Sequence, residues 1–132
     1  MPSRPHQDLL RRHALPMILA ALSTLFALIG EPATQGLRYD RAAILEGQWW
    51  RLISGNLVHL GRPHLLLNLA GLILVWLLFP RSLGLRSWII VTLASALAVG
   101  GGLLLFDPAL RWYVGLSGLL HGLFAAGLVA AL

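Results

Sequence analysis

The residues of this 132-residue chain that could do chemistry are few: Ser117, His64 and Asn68. His64 and Asn68 stand at i and i+4, so on a helix they share one face, a turn apart. Ser117 lies in Gly115-Leu116-Ser117-Gly118, with His121 and Gly122 following one turn later. All three sit in apolar surroundings, where a polar side chain costs free energy unless paired and is by default a functional candidate. Each has a bland reading as well. A helical serine can bond back to the carbonyl at i−4, Gly118-x-x-x-Gly122 can be a packing face, and His64 with Asn68 can be an interhelical hydrogen-bond pair. Jointly they are the parts of acyl transfer, a nucleophilic hydroxyl and donors for an oxyanion. Rival hydrolytic chemistries lack their residues: there is no H-E-x-x-H, no cysteine and no aspartate in an apolar stretch. The G-x-S-x-G elbow of soluble hydrolases fails because Leu119 stands at its second glycine. No metal and no cofactor is expected.

The elements that position these residues must be membrane helices. Hydrophobic residues make up 58% of the chain and charged ones 11%, against roughly 25% charged in soluble domains, which excludes a water-soluble globule and a disordered chain. All ten basic residues are arginines, spread through connecting segments rather than clustered, so nucleic acid is not an expected partner and the lipid bilayer is. Windows of about 20 apolar residues predict spans over Ala14–Gly30, His64–Phe79, Ser87–Phe106 and Val114–Leu132. The expected fold class is all-α, a polytopic helical bundle of four spans over 14–132 behind a cytoplasmic tail, 1–13. Arg4, Arg11 and Arg12 before the first span, with Arg81 and Arg86 between the second and third, orient those ends inward. The rival reading of the first span, a cleaved signal peptide, lacks a small-x-small site after Gly30. The outer segment from Glu31 to Pro63 is long for a loop without structure. Its Gln48-Trp49-Trp50-Arg51 predicts a partly helical element at the headgroup level, with an arginine free to reach water or lipid phosphate.

The combination of Gly115-x-Ser117-Gly118-x-x-x-Gly122, His64-x-x-x-Asn68 and Trp50-Arg51 resembles the rhomboid intramembrane serine proteases. More narrowly, the run from Glu46 to Ile53, Leu57-Val58-His59-Leu60, and Val114 to Gly118 leading into His121-Gly122 are similar to the rhombosortase branch. The resemblance covers roughly Glu46 to Gly127. It implies a bundle in the bacterial inner membrane that cleaves a transmembrane or C-terminally anchored protein substrate, in rhombosortases an exported protein with a C-terminal Gly-Gly sorting tail. It implies Ser117 as nucleophile; the Ser117 N–H, His64 and Asn68 as oxyanion holders; and Trp50 and Arg51 as shapers of the outer loop.

One departure matters. Rhomboids take their general base from a histidine two spans beyond the serine, and this chain stops at Leu132, so a fragment of a longer protein is expected, inactive by itself. His121, at i+4 from Ser117, is the remaining substitute, better suited to packing or hydrogen bonding beside the site because no carboxylate in the spans could stabilise its imidazolium. His59 is expected to be solvated or interfacial, and His6 and His13 to be tail residues. The competing functions are an inactive rhomboid-like protein that binds transmembrane clients, and a small subunit of a transporter or assembly complex.

Overall fold

The computed structural model describes the backbone from Pro5 to Leu132 and side chains from Arg11 onward, Arg12 excepted; Arg4 and the side chains of His6 and Arg12 lie outside what is described. Four helices dominate: α1 (Pro5–Ile29), α5 (Gly61–Leu78), α6 (Leu85–Phe106) and α7 (Ser117–Ala131). Between α1 and α5 come α2 (Glu31–Leu37), strand β1 (Tyr39–Asp40), α3 (Arg41–Leu45), α4 (Arg51–Ser54) and a 3-10 turn (Gly55–Leu57), and strand β2 (Trp112–Tyr113) precedes α7. α1 runs continuously through residue 13, and its apolar part begins at His13.

By length and composition α5 and α6 can each cross a membrane. A third crossing exists only if His13–Ile29 is joined to α2, from which it is bent by 119°. Gly30 makes that break, with φ +80, a left-handed conformation that glycine adopts at no steric cost. The expected fourth span, 114–132, begins later than expected: its helix, α7, starts at Ser117, and its 15 residues up to Ala131 form a shorter apolar helix than α5 and α6. Apolar composition suggested a helix from Val114. The backbone there instead leaves β2 and turns at Gly115, where φ is +114.

The core joins Leu15 and Leu19 of α1, Leu72 and Trp76 of α5, Trp88 and Ala96 of α6, and Leu119 and Leu123 of α7. The opposite faces stay apolar and exposed, as at Leu67, Ile73, Leu77 and Leu105. Such faces suit lipid, in which helices associate by close packing rather than by hydrophobic burial. Gly118 and Gly122 serve that packing: a Cβ on Gly118 would meet Val99 at 2.8 Å, and one on Gly122 would strike Ser95. Their face is therefore turned to α6, as a packing face.

Candidate active site

Ser117 is the first residue of α7, and its side chain is exposed in an open cleft of about 520 Å³ between α5 and α7. His64, Asn68 and Gly71 line one wall, and Ser117, His121 and Phe124 the other. The helix spacing of His64 and Asn68 thus delivers both to the serine's cleft.

The orientation of each polar group follows from its bonds. His64 Nδ1 accepts the Leu60 N–H at 3.2 Å, and a neutral imidazole that accepts at Nδ1 carries its proton on Nε2. That Nε2 faces Gly115, whose added Cβ would lie 2.8 Å from it and 3.9 Å from Asn68 Nδ2. Glycine is required here twice over, by the positive φ and by the imidazole. Asn68 is buried and donates one amide hydrogen to the His64 carbonyl at 2.8 Å, which leaves a second hydrogen on the same nitrogen. The Ser117 N–H opens α7, where backbone donors lack intrahelical acceptors and the helix dipole is positive.

Tyr113 was not singled out in the sequence. Its hydroxyl donates to the Gly115 carbonyl at 3.1 Å, lies 3.4 Å from Ser117 Oγ and accepts the Gly118 N–H at 3.4 Å. It ties the turn to the first residues of the helix, and its one sequence signal is a phenol four residues before the serine. His121 lines the cleft, and its Nδ1 meets the Ser117 carbonyl at 2.6 Å rather than the hydroxyl.

The long segment before α5 builds the frame of this site. β1 pairs antiparallel with β2, Tyr39 opposite Tyr113, and Gly115 N–H donates to the Gly55 carbonyl at 3.0 Å. Arg41 reaches the Leu104 carbonyl at 2.8 Å, fastening α3 to the end of α6. Arg51 corrects its expectation. It is buried, and its guanidinium donates to Gln48 Oε1 at 2.7 Å and to the Gln35 and Arg38 carbonyls at 2.8 and 2.9 Å. Three loop acceptors, not water or phosphate, hold it, so the segment closes around a cation. Trp49 and Trp50 are exposed.

His59 is likewise not the solvated residue expected. It is 6% exposed, neither ring nitrogen has a hydrogen-bond partner, and its ring meets that of His64 edge-on at 5.1 Å. Burial, and secondly the charge His64 can carry, lower its pKa from 6.5 to about 4, so it stays neutral and packs behind His64. His13 is exposed on α1. Among the described residues no cluster of three metal-ligating side chains exists.

A family model described as "Rhomboid domain" matches residues 46–132, which include every residue of the cleft. The chain is also 34% identical over 89 residues to "Putative rhomboid protease YdcA" of Bacillus subtilis (strain 168), an alignment covering 67% of this chain and 45% of that protein. It therefore spans about half the length of this curated relative.

Proposed function

Since the chain belongs to the rhomboid family of membrane proteins, we propose that it is the serine-bearing portion of an intramembrane serine endopeptidase. Ser117 Oγ attacks the scissile carbonyl, and the oxygen that becomes negative is held by the Ser117 N–H, His64 Nε2–H and Asn68 Nδ2–H. The observation that carries this reading is that one cleft contains the serine and both side-chain donors, with the His64 tautomer set by Leu60. Donors fixed in place before the reaction need no reorganisation as charge develops, and one such donor is worth about 2.7–4 kcal/mol in the transition state. A base histidine is proposed from the part of the protein that follows Leu132, by likeness to rhomboids and because His121 bonds the Ser117 carbonyl rather than its hydroxyl. The substrate class proposed is a transmembrane or C-terminally anchored protein, with Gly-Gly sorting tails as the finer assignment by likeness to rhombosortases. Arginine placement supports an inner-membrane protein with a cytoplasmic N-terminus.

The test is labelling with a fluorophosphonate. The protein extended through the reading frame beyond Leu132 is expected to react at Ser117, Ser117→Ala to lose the label, and residues 1–132 alone to stay unlabelled. Equal labelling of both lengths would make His121 the base, and labelling that survives Ser117→Ala would overturn the assignment.

A further inference from the structure

The end of the bundle opposite Ser117 holds two cavities that peptide cleavage does not use. A chamber of about 520 Å³ lies between Arg11 of α1 and the turn joining α5 to α6, with Arg81 and Trp88 on its wall. A groove of about 540 Å³ runs between α1 and α5, lined by apolar side chains including Met17, Leu72 and Trp76. Pro80 lines both cavities, and the Trp76 and Trp88 rings pack at 5.0 Å, so a cationic compartment adjoins an apolar one. No acidic residue is among the described residues of the chamber wall. The one ion pair among the described residues joins Arg38 and Asp40 at the other end, so no described residue supplies a counter-charge to the chamber guanidiniums. The first turn of α6 begins at the same wall, at Gly84 and Leu85, and its unpaired N–H groups add to the positive side.

We propose that this paired cavity binds one anionic phospholipid, its phosphodiester between Arg11 and Arg81 and an acyl chain along the groove between α1 and α5. Charge complementarity selects the headgroup, since basic pockets at helix ends take anionic lipid headgroups. A free anion would satisfy the arginines but leave the groove unfilled. A zwitterionic lipid fills the groove but brings its own cation beside two uncompensated arginines. With two arginines at the headgroup, the preference for anionic over zwitterionic lipid is roughly thirtyfold.

The experiment uses the full-length protein in phosphatidylcholine vesicles, with every tryptophan except Trp76 and Trp88 replaced by phenylalanine. Brominated phosphatidylglycerol is expected to half-quench the fluorescence at roughly one-thirtieth the mole fraction that brominated phosphatidylcholine needs. Arg11→Gln with Arg81→Gln is expected to abolish that difference while quenching by phosphatidylcholine persists. Native mass spectrometry of the unreplaced protein serves as the second measurement, with phosphatidylglycerol retained by the wild type and lost from the double variant. Equal quenching by both lipids, or a preference that survives the double substitution, would overturn the proposal. So would loss of the preference in millimolar inorganic phosphate, which would make the chamber a site for soluble anions.

Discussion

Gly115 shows how little freedom the site has at the residue scale. A methyl group there would need an unfavourable backbone conformation and would displace the His64 ring. Gly115→Ala is therefore expected to lower kcat by about 10²–10³-fold, the usual cost of one misplaced oxyanion donor, and to destabilise by about 1–3 kcal/mol from backbone strain; kinetics on a fluorogenic transmembrane peptide and thermal unfolding check the two parts. His59 carries a pH dependence. Its folded pKa, about 4, lies below the ordinary 6.5, so its contribution is complete above pH 6.5 and is lost as pH falls toward 4. Melting temperature in detergent is expected to drop over that window, and less so in His59→Asn, by an amount on the order of 1–3 kcal/mol. His64, the titratable group facing it, is retained in both proteins.

At the scale of elements, the loop between α1 and α5 acts on the serine through strand pairing. Arg51 holds Gln35 and Arg38, Arg38 adjoins β1, and β1 fixes β2, from which Tyr113 reaches Ser117. Lysine cannot reproduce a planar fork with bonds in several directions. Arg51→Lys is expected to cost about 2–4 kcal/mol, since hydrogen bonds to charged groups are worth about 1.5–3 kcal/mol each, and limited proteolysis should show faster cleavage between residues 31 and 60. The α6–α7 contact makes a second case. Gly122→Ala drives a methyl into Ser95, and Ser95→Gly is expected to recover most of the roughly 1–3 kcal/mol lost to overpacking, a coupling that a double-mutant cycle measures. Helix existence was legible beforehand from long apolar windows. The start of α7 was not, because Val114 and Leu116 are as apolar as the helix that follows while their backbone obeys β2 and Gly115.

For the whole molecule, the two ends of the bundle carry different groups: Ser117, His64 and Asn68 around one cleft at one, and Arg11 and Arg81 above an apolar groove at the other. Composition alone determined the solvent, the helical class and the separation of arginines from apolar windows, since those depend on transfer free energies summed along the chain. The i, i+4 spacing likewise determined that His64 and Asn68 share a face, a property of helix geometry. Only the tertiary structure decided that this face opens on Ser117, that Arg51 and His59 turn inward, and that Gly118 and Gly122 meet α6. Each of these depends on partners far apart in sequence, so local periodicity holds no record of them. A buried arginine and an interfacial one have the same residue type, and what separates them is whether distant carbonyls converge to replace the water each would lose.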